Sequence, residues 1–85
     1  MKRSKQGKKE QQLLLILLRE LREKAGLTQV QLAKAIRMPQ SFVSKYELGE
    51  RRIDIVETRQ IVAGLGLNFI QFAKIFEDRM AAKEP

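Results

Sequence analysis

Apolar and polar residues alternate along most of the chain with the period of an α-helix. The first predicted helix spans residues 10–25 and is closed by Gly26, which suits a left-handed C-terminal cap. Its core-facing stripe consists of four leucines: Leu14, Leu17, Leu18 and Leu21. Leu13, Leu15 and Ile16 cannot all lie on that stripe, so this helix is predicted to carry surplus apolar surface.

Two short helices follow, and a three-residue break separates them. Thr28 and Gln31 form a predicted capping box at the start of the second helix. This helix ends at residues 37–39, because the proline at the end of that segment disfavours a helical conformation in the residue before it. The third predicted helix spans residues 40–48, and a glycine closes it.

Two further helices complete the pattern. Asp54 and Glu57 form a second predicted capping box, at the start of a fourth helix that ends at Gly66. The apolar side of this helix is predicted to consist of Ile55, Val62 and Leu65. Asn68 is the predicted cap of a fifth helix. The apolar stripe of the fifth helix contains Phe69, Phe72, Ile75 and Phe76. No strand pattern competes, so the predicted fold is all-α.

The 85 residues are enough for one domain, which we place at residues 10–78. Residues 1–9 contain five basic residues and no acidic one, and we expect them to form a disordered basic arm. Residues 79–85 are expected to form a flexible tail. A chain of this length builds only a thin core, which favours a homodimer.

The amino-acid composition excludes several classes of functional site. Cysteine and histidine are absent, which excludes disulfides, thiolate or imidazole metal sites, a cysteine nucleophile and a Ser-His relay, so no catalytic residue, metal or cofactor is predicted. The net charge of +7 indicates a polyanionic partner, either nucleic acid or a membrane surface. The longest apolar run, residues 13–18, is shorter than a membrane span or a signal-peptide core, so we expect a cytoplasmic protein and no membrane partner.

The third predicted helix separates an apolar side from a polar side. At about 100° per residue, the apolar side contains Phe42, Val43 and Tyr46. The polar side contains Gln40, Ser41, Ser44 and Lys45. Gln pairs with adenine, Lys donates to guanine and Ser suits either base, so these four residues are candidate base contacts. An ordinary solvated helix surface is the alternative interpretation, because these residue types are common on any helix.

Candidate phosphate contacts surround this helix. The segment 24–46 has four basic residues and no acidic one. Thr28 and Gln29 begin a helix, where backbone amides and the helix dipole favour a phosphate. Arg51 and Arg52 directly follow the third helix. Double-stranded DNA is therefore the predicted partner, and phosphate contacts would fix the register of the base contacts.

The segment GLTQVQLAKAI, followed by PQSFVSKYELGERR, resembles the DNA-binding domain of the Cro/CI-type phage repressors and of the wider xenobiotic-response-element class of bacterial regulators. The resemblance covers residues 14–76. It implies an all-α, five-helix, lambda-repressor-like domain in which the second and third helices form a helix-turn-helix. The base-facing positions that it implies are those of Gln40, Ser41, Ser44 and Lys45. The implied phosphate contacts are Thr28, Gln29, and Arg51 or Arg52.

Three further expectations come from this resemblance. The family often joins an arginine of the first helix to a glutamate late in the third, and Arg22 and Glu47 occupy those positions. Members commonly dimerise through elements at or beyond the fifth helix. At the position of Arg37 the family usually carries glycine. Arginine there implies either a different turn, or an unfavourable backbone angle that costs about 1 to 2 kcal/mol and brings a phosphate contact.

The main hypothesis is a dimeric, sequence-specific, DNA-binding transcriptional regulator, in particular a repressor. A second hypothesis is an antitoxin-like or accessory adaptor that mainly binds another protein, with DNA binding secondary. Its basis is the apolar surface of residues 13–18 and the stripe of Phe69, Phe72 and Phe76. RNA binding is disfavoured, because the polar side of the third helix lacks aromatic residues that stack on unpaired bases.

Overall fold

The computed structural model describes the backbone of residues 5–83 and the side chains of residues 7–82. Five α-helices and no strand occur in this part of the chain. They are α1 (Lys5–Lys24), α2 (Gln29–Ala35), α3 (Gln40–Glu47), α4 (Ile55–Gly64) and α5 (Phe69–Lys83). The predicted all-α, five-helix fold is confirmed.

The first helix is longer than the sequence pattern predicts. It begins at Lys5, so the segment 5–9, which we assigned to a disordered arm, is helical. The remaining residues of that arm, 1–4, lie outside the described residues. Lys and Gln are good helix formers, and adding a residue to an existing helix costs far less than starting one, so the leucine-rich part of α1 carries its helix through this segment in spite of Gly7.

The last helix is also longer than predicted. It continues to Lys83, so most of the segment 79–85, which we assigned to a flexible tail, is helical; residues 84–85 lie outside the described residues. Arg79 Nη2 donates to Glu20 Oε1 at 3.0 Å, which joins the end of α5 to α1. The alanines at 81 and 82 favour helix as well.

The core contains apolar side chains from all five helices. Leu17 and Leu18 are fully buried, whereas Leu14 and Leu21 are only partly buried. Leu15 was predicted as surplus surface, yet it is 9% exposed. It packs on the chain after α3, where a side chain at Gly49 would place its Cβ only 3.8 Å from Leu15 Cδ1. Of the three residues predicted as surplus surface, Leu15 is thus buried, Leu13 is half-buried and Ile16 is 50% exposed.

The apolar side of α4 differs from the prediction at its start. Ile55 is 69% exposed, while Thr58, Ile61 and Val62 are buried. A Cβ at Gly64 would lie 2.7 Å from Ile36 Cγ2, so the C-terminal half of α4 approaches α2 closely. The burial of α4 therefore begins at Thr58 and not at its first residue.

The aromatic stripe of α5 is mainly structural. Phe72 is buried, and Phe69 and Phe76 are partly buried against the core. The ring of Phe72 lies 6.0 Å from that of Phe69 and 6.1 Å from that of Phe76, between centroids. Phe69 and Phe76 also line a surface pocket, so the stripe is buried in part only. Among residues 5–83, none of the helices has the length and apolar character needed to cross a membrane.

Candidate nucleic-acid interface

The helices α2 and α3 and the turn between them have helix-turn-helix geometry. Thr28 Oγ1 accepts from Gln31 N at 3.1 Å, and Gln31 Oε1 accepts from Thr28 N at 2.9 Å. The capping box predicted at the start of α2 is therefore confirmed. In the turn, Met38 N donates to Ala33 O at 2.9 Å, and Pro39 precedes α3 with φ −64°. Proline at that position fixes where α3 begins.

Arg37 adopts the backbone angle that suits glycine. Its φ is 58°, and it is the one non-glycine residue with a positive φ in the described part of the chain. Of the two alternatives that the sequence left open, the structure therefore has the strained arginine rather than a different turn. The side chain is exposed and lies beside Gln60, Ala63 and Gly64 of α4 along a shallow depression.

The two sides of α3 are separated as the helical period predicts. Phe42, Val43 and Tyr46 are buried, and the rings of Phe42 and Tyr46 meet edge to face at 5.4 Å between centroids. The polar side chains are exposed at three positions and half-buried at one: Gln40, Ser41, Lys45 and, half-buried, Ser44. This arrangement holds the helix rigidly on one side and leaves hydrogen-bonding groups on the other.

A buried ion pair joins α1 to the end of α3. Arg22 Nε donates to Glu47 Oε2 at 2.7 Å, and Arg22 Nη2 donates to Glu47 Oε1 at 3.1 Å. The side chain of Glu47 is 3% exposed. The hydrogen bonds from Arg22 to Glu47 are the main reason that the pKa of Arg22 is raised. Arg22 Nη1 also donates to Leu27 O at 2.7 Å, so the pair aligns α1, α3 and the chain before α2.

Two glutamines extend this ion pair to the surface. Gln29 Nε2 donates to Glu47 Oε1 at 2.9 Å. Gln40 Nε2 donates to Gln29 Oε1 at 3.5 Å. The structure thus brings together the first residue of α2 and the first residue of α3, which the sequence analysis had assigned separately to phosphate and base. Neither sequence periodicity nor spacing indicates that these two side chains meet.

The two arginines after α3 differ in their surroundings. Arg51 Nη1 and Nη2 donate to the two carboxylate oxygens of Glu57 at 3.1 and 2.8 Å. Its guanidinium carbon also lies 4.7 Å above the ring centroid of Phe42. Arg51 is therefore held by the protein itself, unlike the expectation of a free phosphate ligand. Arg52 is exposed, and within the described residues its side chain has no hydrogen bond or ion pair.

The start of α2 retains groups that can bind an anion. In the capping box, the backbone N–H groups of Thr28 and Gln31 donate, and the hydroxyl oxygen of Thr28 accepts. The hydroxyl proton of Thr28 therefore remains available to a further acceptor. The amides of Gln29 and Val30 occupy the first two positions of the helix, where no carbonyl of the same helix can accept from them. Lys34 and Lys45 are exposed on these helices, which makes the surface basic.

Comparison with known families identifies the class of protein. Residues 13–68, which are more than half of the chain, match the sequence pattern of the helix-turn-helix domain family. The chain therefore belongs to the helix-turn-helix domain family. No curated protein is significantly similar to it.

Similar solved structures show to which class of helix-turn-helix proteins the chain belongs. An XRE-family-like protein from Pseudomonas syringae pv. tomato str. DC3000 is 40% identical, with 85% of this chain and 88% of that chain covered and a TM-score of 0.79. The xenobiotic-response-element class predicted from the sequence is thus confirmed, and the chain is a DNA-binding helix-turn-helix protein of the class that regulates transcription.

The restriction-modification controller protein C.Esp1396I has the same fold. Its wild-type form is 19% identical, with 85% of this chain and 95% of that chain covered and a TM-score of 0.79. A point mutant of the same protein is 20% identical, with 88% of this chain and 95% of that chain covered and a TM-score of 0.81. At this level of identity the likeness concerns the fold.

Proposed function

We propose that this chain binds specific double-stranded DNA as a homodimer, with α3 in the major groove, and represses transcription by occupying its operator. The observation that carries the proposal is the polar side of α3, which lies opposite the buried Phe42, Val43 and Tyr46 in the segment 24–46, where no acidic residue occurs. The acid nearest to that side, Glu47, is buried and paired with Arg22. Because Arg22 offsets the charge of Glu47, this carboxylate would not repel a DNA phosphate bound near α3.

Four side chains on α3 are the proposed base contacts: Gln40, Ser41, Ser44 and Lys45. Lys45 is exposed on the last turn of the helix, and a lysine donates to the acceptors of guanine in the major groove. Gln40 begins the helix, where a glutamine pairs with both groups on the edge of adenine. The two serines suit either kind of base.

The proposed phosphate contacts lie on both sides of these residues. Thr28 and Gln29 at the start of α2 offer a hydroxyl proton and backbone amides, and Arg37 and Arg52 offer exposed guanidinium groups. Arg51 is a weaker candidate than the sequence suggests, because Glu57 offsets its charge. Such contacts supply affinity without sequence preference, while the base contacts specify the site.

Substitution of Lys45 tests the base contacts. We expect Lys45→Ala to lose about 1 to 3 kcal/mol on the preferred duplex and to relax the preference at one base position. The preferred duplex is first selected from a random pool, and the affinities are then measured by fluorescence anisotropy on that duplex and on its single-base variants. An equal loss on preferred and random duplexes would remove Lys45 from the base contacts.

Substitution of Arg52 tests the phosphate contacts in the same assay. We expect Arg52→Ala to weaken binding to all duplexes alike and to lower the slope of log affinity against log salt by about 1. Arg59→Ala is the matched control, because Arg59 is an exposed arginine on α4 outside the proposed surface. An unchanged salt slope for Arg52→Ala would contradict the assignment.

The proposed dimer is supported by exposed apolar side chains at the starts of α4 and α5. Ile55 and Val56 are exposed on the first turn of α4, and Ile70 is 82% exposed on the first turn of α5. Ile55 and Phe69 line the same apolar pocket, which connects these two turns. A two-fold contact here would leave the two α3 helices free to meet half-sites about 34 to 36 Å apart.

A further inference from the structure

A cleft lies between the first turns of α1 and the end of α3. Its volume is about 480 Å³, within the range of about 300 to 1,000 Å³ that is usual for small-molecule sites. Residues of α1 from Lys8 onwards line it together with Leu48 and Arg52. Lys8 precedes the segment 13–68 that matches the helix-turn-helix family. This side of the cleft is therefore formed in part by residues outside the family's pattern.

Apolar side chains form part of the cleft. Leu15 is buried, whereas Ile16 and Leu48 are large apolar residues that remain exposed. A ligand that covers such a surface gains about fourfold in affinity for each methylene group that it buries. This part of the cleft therefore favours a ligand with a hydrocarbon or aromatic body.

Two cations line the same cleft. The side chains of Lys8 and Arg52 are exposed, and within the residues that the structure describes neither makes a hydrogen bond or an ion pair. The acid that lines the cleft is Glu47, but its side chain is 3% exposed and is paired with Arg22. The cleft therefore carries positive charge, which favours an anionic group.

An apolar surface beside these two cations matches an anion that has an apolar body. A bare phosphate would leave Ile16 and Leu48 in contact with water, so the apolar part of the cleft would add nothing to its binding. We propose that the cleft binds a free carboxylate with a hydrocarbon or aromatic body. Its carboxylate group would lie near Lys8 and Arg52, and its body would cover Ile16 and Leu48.

Such a ligand would oppose the binding of DNA. Arg52 is a proposed phosphate contact, and a carboxylate beside it offsets the charge that attracts a phosphate. By linkage, DNA would lower the affinity for the carboxylate by the same factor. The protein would thus release DNA when the carboxylate is abundant. This regulatory part rests on the proposed function, whereas the binding site does not.

Decanoate is the probe for the site. Isothermal titration calorimetry measures its binding to the full chain without DNA, at concentrations below micelle formation. We expect decanoate to bind at least about fourfold more tightly than octanoate, since one additional buried methylene group is enough for this ratio. Decanol has the same hydrocarbon chain without the charge, and it should bind about threefold or more weakly than decanoate.

Two substitutions separate the charge of the cleft from its apolar surface. Lys8→Gln should weaken the binding of decanoate by about two- to fivefold and leave that of decanol unchanged. Ile16→Ser should weaken both by about fourfold or more. Lys9→Gln is the matched control, because Lys9 is an exposed lysine of the same helix that does not line the cleft. Thermal unfolding shows whether each variant is folded.

The regulatory part is tested on the selected duplex by fluorescence anisotropy. Saturating decanoate should lower the affinity of the wild type for this duplex by about fivefold or more, whereas decanol should leave it unchanged. In Arg52→Ala, which lacks the shared charge, decanoate should change the affinity for DNA by less than about twofold.

Two results would overturn the inference while leaving the proposed function intact. One is the absence of decanoate binding, and the other is an equal affinity for decanoate in the wild type, Lys8→Gln and Ile16→Ser. Decanoate that binds in the cleft without changing the affinity for DNA would overturn the regulatory part. A protein that binds decanoate in the cleft but selects no DNA sequence would overturn the proposed function and not the site.

Discussion

At the scale of single residues, the backbone conformation of Arg37 is unfavourable for folding, whereas its side chain is proposed to contact a DNA phosphate. Its φ of 58° is unfavourable for a residue with a Cβ, at a cost of about 1 to 2 kcal/mol. The hydrogen bond from Met38 N to Ala33 O fixes the turn around it. Strain of this kind persists where the surrounding structure imposes it, and it often occurs at functional positions.

Replacement of Arg37 by glycine should therefore stabilise the fold. Glycine relieves the strain but is more flexible in the unfolded chain, so we expect Arg37→Gly to raise the free energy of unfolding by roughly 0.5 to 1 kcal/mol. Urea unfolding measures this change. Lys34→Gly, which also replaces an exposed cation but within α2, should instead lose about 1 kcal/mol. A less stable Arg37→Gly would show that the arginine side chain stabilises the turn.

The same residue tests whether the strain accompanies DNA binding. Arg37→Ala keeps a Cβ, and therefore the backbone strain, but removes the charge. We expect it to leave the free energy of unfolding within about 0.5 kcal/mol. The salt slope of DNA binding should fall by about 1. If Arg37→Ala and the wild type bind DNA with the same salt slope, Arg37 does not contact a phosphate, and its backbone strain is unrelated to DNA binding.

Individual residues of the candidate site were predictable where their position depends on one helix. The outward side of α3 follows from the rotation per residue, and the burial of Phe42, Val43 and Tyr46 follows from the same rule. The contact between Gln29 and Glu47 joins residues on different helices, and it depends on how α1, α2 and α3 pack. No local pattern in the sequence carries that information.

At the scale of helices, the starts of α2 to α5 were predicted better than helix ends and packing faces. Thr28 and Asp54 each form the expected capping box, because a cap depends on a few consecutive residues. The early start of α1 and the late end of α5 depend on propagation from a stable helix and on the contact of Arg79 with Glu20. The exposure of Ile55 and the close packing at Gly64 depend on how α4 lies against α2, which a local pattern does not show.

The contact that holds α4 against the end of α3 should weaken in acid. The hydrogen bonds from Arg51, followed by the backbone N–H of Asp54, lower the pKa of Glu57 below its ordinary value of 4.5. Because the folded protein favours the ionised form, this contribution to stability is present above about pH 4.5. It is lost as the pH falls through the lowered pKa of Glu57.

The variant Glu57→Gln isolates this effect, because glutamine can still complete the capping box with Asp54. We expect the wild type to be more stable than Glu57→Gln at pH 7 and the difference to shrink as the pH falls below about 4.5, measured by urea unfolding. Glu77→Gln, at an exposed glutamate of α5, is the matched control for the loss of one negative charge. A difference between wild type and Glu57→Gln that stays constant down to pH 3 would contradict the role of the charge.

At the scale of the whole molecule, the proposed DNA-binding surface and the proposed dimer contact lie on different helices. The polar side of α3 with Lys34 and Lys45 lies on α2 and α3, whereas Ile55, Val56 and Ile70 begin α4 and α5. A protein of this size has limited burial within one chain. Pairing through the apolar residues of α4 and α5 would add to its core without covering the proposed DNA-binding surface.

Introduction of a charge at Ile70 should therefore break the proposed dimer and leave the fold intact, since this side chain is 82% exposed. A two-fold interface loses the side chain twice, and at about 1.5 to 3 kcal/mol for each buried isoleucine we expect Ile70→Lys to raise the Kd of the dimer by more than about a hundredfold. Sedimentation equilibrium measures this Kd, and Ile16→Lys, at an isoleucine that is 50% exposed on α1, is the matched control.

The monomeric variant should also lose its higher affinity for a duplex with two half-sites than for a duplex with one, because only a dimer engages both half-sites together. If Ile70→Lys remains dimeric while Ile16→Lys dissociates, the interface lies on α1 instead.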